Sequence, residues 1–180
     1  MIIRHPNTDP HERRNKEMEK NLLKATRMVP CSVVLLSAGT KETRDAMTAT
    51  AMFVAENLPL LTISLAKTST CRDLIEKTGK CMLNVASVRQ VDIANKLSAT
   101  HGRDIDKFKE FDVAAGKASK IKAPAIAGSY ANVECKIITS HQAGNYIVYL
   151  AEVVACKVDE KQVPMVWHNN KYFAVEKQVG

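Results

Sequence analysis

The chain has 180 residues, an apolar fraction of 46% and a formal charge of +7, enough for one domain with a full core and room for a helical appendage. No run approaches the roughly 20 apolar residues of a membrane span, so a membrane protein is not expected. The Lys and Arg are spread along the chain and aromatics reach only 5%, so nucleic-acid binding is not expected either, and the positive field suits anionic cofactors.

The N-terminus, MIIRHPNTDPHERRNKEME, lacks an apolar h-region and does not read as a secretory signal, so a cytoplasmic location is expected. Residues 1–8 read as a loose arm. Residues 9–27 read as a short surface helix, started by Asp9 before Pro10, with Met18, Leu22 and Leu23 near one face. Residues 1–28 are thus set apart from a domain over 29–180.

From Val29 the texture becomes β-rich. VPCSVVLLSAG reads as a strand ending at Gly39, TKETRDA as a hairpin-type turn, and MTATAMFVAENLP as a further strand closed by Pro59. LLTISLA is a strong strand, and residues 70–79 fit a helix stopped by Gly79. CMLNVAS is a strand, and residues 89–99 fit a helix with Val91, Ile93, Ala94 and Leu97 inward. Residues 100–112 and 116–124 read as loops. The last third is β again: Ala131 to Thr139, Tyr146 to Val158, MVWH and YFAVE, with HQAGN as a hairpin turn. Many short strands joined by turns predict an antiparallel barrel or sandwich carrying a few helices.

The five cysteines form no C-x-x-C pair, so neither a disulfide framework nor a zinc knuckle is expected. Cys31, Cys81, Cys135 and Cys156 sit in apolar runs and read as small core residues. Cys71 lies in a polar turn and reads as a ligand-side residue. The histidines show no metal spacing, and no metal site is expected.

The chemistry concentrates in residues 44–71. A small-polar turn, Asp45 to Thr50, precedes a strand and a second hydroxyl-rich turn, Ser64 to Thr70, that contains Lys67. On neighbouring strands, two such turns offer hydroxyls, backbone N–H groups and a cation to one anionic ligand. The pattern points to a phosphorylated cofactor. No G-x-G-x-x-G is present, so a Rossmann-type nucleotide site is not expected.

Four pieces in order, from about Val29 to Tyr172, resemble the flavin reductase-like family, with its FMN-binding split β-barrel, and within it the flavoredoxin branch. VPCSVVLLSAG with DAMTATA is similar to the opening strand and N-x-M-T-A-S turn. SLAKTSTCRDLIEKTGKCMLNV is similar to the S-x-T phosphate turn, helix and strand. HGRDIDKF is similar to G-R-D-x-D-K-F, and GNYIVYLAEVVAC with PMVWHNNKYF to the closing strands.

The resemblance implies a split antiparallel β-barrel with FMN at a homodimer interface. Asp45 would open the flavin turn, and Met47, Thr48, Ala49 and Thr50 would line the isoalloxazine. Ser64, Lys67, Ser69, Thr70 and Cys71 would reach the ribityl chain and phosphate. Asn84 is a further candidate contact. Arg103 and Lys107 would add positive charge, and Phe108 an apolar contact. Three positions depart from the pattern: Asp45 replaces Asn, Cys71 replaces Thr, and Tyr146 replaces the His associated with nicotinamide.

An oxidoreductase that reduces flavin with NADH or NADPH and passes electrons onward is expected. The alternative is a flavoredoxin-like carrier reduced by a partner redox protein. Tyr146 is placed on the nicotinamide or substrate side.

Overall fold

The computed structural model describes residues 10–103 and 105–179, with side chains from Met18 onward. The arm of residues 1–8, the helix-start residue Asp9 and Asp104 of HGRDIDKF lie outside the described residues. The elements in order are α1 (Pro10–Thr26), β1 (Cys31–Ser32), β2 (Val34–Gly39), β3 (Arg44–Ala49), β4 (Ala51–Phe53), β5 (Leu60–Ala66), α2 (Thr70–Thr78), β6 (Lys80–Val85) and α3 (Val91–Ala99). There follow α4 (Lys107–Glu110), β7 (Ala115–Gly116), β8 (Ala125–Ile126), β9 (Ala131–Ala143), β10 (Tyr146–Val158), β11 (Met165–His168) and β12 (Lys171–Ala174). None of the described helices is long and apolar enough to cross a membrane.

One seven-stranded sheet runs β3-β2-β6-β9-β10-β5-β4, every pair antiparallel. Its edge strands β3 and β4 are joined through Thr50 alone, so the backbone closes the sheet into a barrel at that corner. β3 and β5 face each other without a ladder, and the barrel is split there. The expected turn over Asp45 to Thr50 is therefore a strand that breaks at Thr50.

Helix α2 packs over β2 and β3 beside the split. Its Ser69 N-cap accepts from the Arg72 N–H, and Gly79 ends it in the left-handed conformation at φ 64°, donating to the Ile75 carbonyl. Its buried face, Cys71, Leu74 and Ile75, joins Val34, Leu36, Leu65, Leu83 and Tyr149 inside the barrel. The other face of β2 is also covered. Val33 and Leu35 pack with Ala94 and Leu97 of α3, Phe108 of α4 and Met165 of β11. Burial on both faces explains why the sequence reads as an unbroken VVLL rather than an alternation.

Three expectations need correction. HQAGN is not the hairpin turn: β9 extends through His141 and Gln142 to Ala143, which pairs with Tyr146, leaving a two-residue turn at Gly144 and Asn145. The loop at 100–112 holds the short helix α4, whereas 117–124 is a loop as expected, joining β7 to β8. Among the cysteines, Cys81 and Cys135 are buried partners across β6 and β9, but Cys31 is only half-buried and Cys156 is exposed.

Asn84 is fully buried and braces three strands. Its amide donates to the Leu35 carbonyl at 2.6 Å and the Ser37 hydroxyl at 3.2 Å. Its oxygen accepts from Ile126 N–H at 2.8 Å and Asn132 Nδ2 at 2.7 Å. With both ends of the amide engaged, it is a structural tie and not a cofactor contact. Asn84→Ala is expected to cost about 2 kcal/mol by leaving these partners unpaired, measured as a shift in urea unfolding.

Glu134 on β9 pins the 116–124 loop, accepting from Ser119 N–H at 2.6 Å, Lys120 N–H at 2.6 Å and Ile121 N–H at 3.0 Å. Burial works against its charge, but these donors outweigh it and hold the carboxyl below its usual range. A depressed folded value adds stability above the unfolded value of about 4.3, lost as pH falls through the folded one. Glu134→Gln should flatten this acid limb of a stability-against-pH profile.

Candidate active site

The two hydroxyl-rich segments of the sequence do meet. Ser69 Oγ lies 3.1 Å from Met47 Sδ, so the start of α2 stands against the middle of β3 across the split. A polar cavity of about 100 Å³ opens there, bounded by Asp45, Met47 and Thr48 on one side and Thr68, Ser69 and Thr70 on the other. The end of α3 and the following loop, with Ser98, Thr100, His101 and Gly102, form its third wall.

Thr48 and Ser98 are shared with a second cavity of about 220 Å³, which continues to Val33, Ala49, Thr50, Trp167 and Tyr172. The result is one slot along β3, hydroxyl-rich at the α2 end and aromatic at the β11–β12 end. Thr48 Oγ1 donates to the Ala94 carbonyl at 2.5 Å, so its hydrogen is engaged and its oxygen is left as an acceptor.

The polar end is built for an anion. The first N–H groups of α2, a nine-residue helix, have no intrahelical acceptor and carry the positive end of its dipole. Arg103, 61% exposed, stands at the rim, its Nη2 donating to the Thr68 carbonyl at 3.4 Å and lying 3.9 Å from Asp73.

Lys107 is not a free cation there. Its side chain is 2% exposed, and its Nζ lies 3.2 Å from Asp45 Oδ1 and donates to the Ala46 carbonyl at 2.7 Å. Asp45 is equally buried and is held under Gly102, where a Cβ would come within 2.2 Å of Oδ1. Asp45 in place of the family's Asn thus comes with a cationic partner. The pair forms a neutral floor.

Other expectations fail for reasons of facing. Cys71 does not reach the ligand side: it is fully buried, turned into the barrel, with Sγ 3.4 Å from Asp45 Oδ2. Burial and the adjacent Asp45 charge push its thiol well up, so it is no nucleophile. Phe108 is buried in the second core with the Arg44 guanidinium 4.4 Å above its ring. Ser64 is exposed on β5, and Lys67 spends its N–H on the Asn145 carbonyl; neither lines the slot, although Ala66 and Thr68 do. Tyr146 is 51% exposed and sits opposite Ala66, beside the polar cavity.

Sequence reasoning did not name Ser98, Thr100, His101, Gly102, Trp167 or Tyr172 as lining residues. HGRDIDKF and PMVWHNNKYF carry the family resemblance, but no periodicity or spacing within them shows which of their side chains face β3. Among the described residues, no group of three or more His, Cys, Asp and Glu could hold a metal ion.

The flavin reductase like domain family matches residues 26–176. The chain belongs to this family. Actinorhodin polyketide dimerase of Streptomyces coelicolor is 27% identical over 156 residues, 84% of each chain. The solved NADH:FAD oxidoreductase of Streptomyces globisporus C-1027 has a TM-score of 0.79 at 19% identity, over 98% of this chain and 99% of that one. Flavoredoxin of Desulfovibrio vulgaris has a TM-score of 0.76 at 20% identity, over 84% of this chain and 90% of that one. At these identities the structural likenesses establish the split-barrel fold.

As a flavin reductase-like domain, the chain passes a physical test of fit. A flavin needs a flat apolar berth and a phosphate pocket rich in N–H and hydroxyl donors. The slot offers Trp167, Tyr172 and Val33 at one end and the α2 N-terminus with Ser69 and Thr70 at the other.

Proposed function

We propose that this protein is an NADH- or NADPH-dependent flavin reductase that holds FMN in the β3 slot. The observation that carries the reading is the polarity of that slot, with an anion-binding helix terminus at one end and an aromatic berth at the other. When bound, the flavin supplies two-electron chemistry and can pass electrons to a further acceptor. The chain supplies position. Thr68, Ser69, Thr70 and the first α2 N–H groups hold the phosphate, with the exposed Arg103, shared with Asp73, at the rim beside it. The β3–β4 corner at Ala49 and Thr50 fixes the depth of the ring against Trp167 and Tyr172. No nucleophile is required, consistent with the burial of Cys71.

FMN is the flavin proposed here, with its terminal phosphate at the hydroxyl-rich end of the slot, by Thr68, Ser69 and Thr70. A homodimer is part of the proposal, since the slot is open along one side and a symmetric partner would close it. The test is steady-state oxidation of NADH and NADPH with FMN, FAD or riboflavin as acceptor. Turnover with FMN supports the reductase. A tightly held flavin without nicotinamide turnover would favour the flavoredoxin-like carrier, to which Tyr146 in place of the family's His points.

A further inference from the structure

We propose that α1 docks into an apolar cleft on a second copy of this chain, so that two copies exchange their N-terminal helices across a two-fold axis. This rests on the homodimer reading above and assigns its contact surface.

The first observation is that the described side chains of α1 pack against nothing of their own chain. Every residue from Met18 to Pro30 is exposed. Met18, Leu22 and Ala25 recur at helical spacing with Leu23 beside them, and Met18, Leu22 and Leu23 are 58%, 63% and 61% exposed. A single helix in water is marginal without packing of its apolar face, so this stripe calls for a partner.

The second observation is a cleft of about 730 Å³ at the far side of the β3–β4 corner. Val34, Leu61, Leu83, Val85 and Val133 form its floor, and no charged residue lines it. On its rim Met52, Phe53 and Val54 are 66%, 59% and 47% exposed. An uncharged apolar surface of this kind marks an interaction site.

The third observation concerns the simplest occupant, the chain's own helix. Only residues 27–30 join α1 to β1, and the Arg27 carbonyl accepts from Asn169 N–H at 3.0 Å, tying the helix end to the β11–β12 turn. Held there, α1 stays clear of its own cleft, although its linker residues Val29 and Pro30 form part of the cleft's edge. A second copy's helix can enter with no change at this tie. One chain therefore carries a projecting apolar stripe and an open apolar cleft that do not cover each other. A two-fold axis satisfies both at once. The cleft continues from Ala51, the residue after Thr50 of the slot, so the exchanged helix would stand beside the flavin berth.

The experiment is sedimentation equilibrium on the full chain and on Leu22→Asp, whose exposed site leaves the fold intact. Wild type should be dimeric, and Leu22→Asp should raise the dimer dissociation constant about 100-fold by placing a carboxylate in an uncharged cleft. Phe53→Asp should act alike. With Cys31 and Cys156 changed to Ser, a mixture of Leu22→Cys and Phe53→Cys copies should yield a disulfide-linked pair on oxidation. A Leu22→Asp protein as firmly dimeric as wild type would overturn the helix exchange and leave the homodimer standing. An internal cross-link in the Leu22→Cys/Phe53→Cys double variant, without linkage in the mixture, would assign the cleft to the chain's own helix and overturn the proposal. A monomeric wild type would overturn both.

Discussion

Lys107→Met is expected to cost about 3–5 kcal/mol of stability, the usual effect of removing one member of a buried ion pair. Lys107 and Asp45 are each 2% exposed and stand 3.2 Å apart. Met would fill much of the space but leave the Asp45 carboxylate facing the Cys71 thiol, with Gly102 packed above it. The Ala46 carbonyl would lose its donor as well. Pairing Lys107→Met with Asp45→Asn removes the stranded charge and should recover most of the loss. The two changes touch one interaction, so their effects should be strongly non-additive. Urea unfolding of the four proteins in this cycle measures the coupling. Additive losses would mean that the pair is not the element holding β3 to α4.

Ser69→Asp is expected to weaken FMN binding about 100-fold, close to 3 kcal/mol, while leaving the fold in place. Asp caps a helix N-terminus as well as Ser does, so α2 should keep its start. The new carboxylate would lie where the phosphate is held, adding repulsion and withdrawing a hydroxyl donor. Riboflavin has no phosphate and provides the control: its affinity should change little. Fluorescence titration with both flavins separates the phosphate effect from damage to the slot, and equal losses for FMN and riboflavin would move the phosphate away from α2.

Much of the barrel was legible because its signals are local. The VPCSVVLLSAG run read as a strand ending at Gly39, and Gly79 stops α2 where the helix was expected to end. The convergence of the two hydroxyl-rich segments, the family and the flavin reductase reading also followed from residues in order along the chain. What was not legible depends on facing and on distant partners. Cys71 looked polar from its neighbours, yet its place in α2 turns it into the barrel. Lys107 looked like a free cation because its partner Asp45 lies on another element. Asn84 sits at a strand end in sequence, but four polar groups from β2, β8 and β9 consume it. Trp167 and Tyr172 reach the slot only through the β11–β12 hairpin, whose docking no short-range pattern announces.

The central claim is that the β3 slot holds a flavin reducible by a nicotinamide. The most direct measurement is an anaerobic visible spectrum of the FMN-reconstituted protein before and after addition of NADH or NADPH. The account predicts a bound-flavin spectrum that bleaches on mixing with one of the two. A protein that retains no flavin after reconstitution, or one whose bound flavin bleaches with dithionite but with neither nicotinamide, would contradict it.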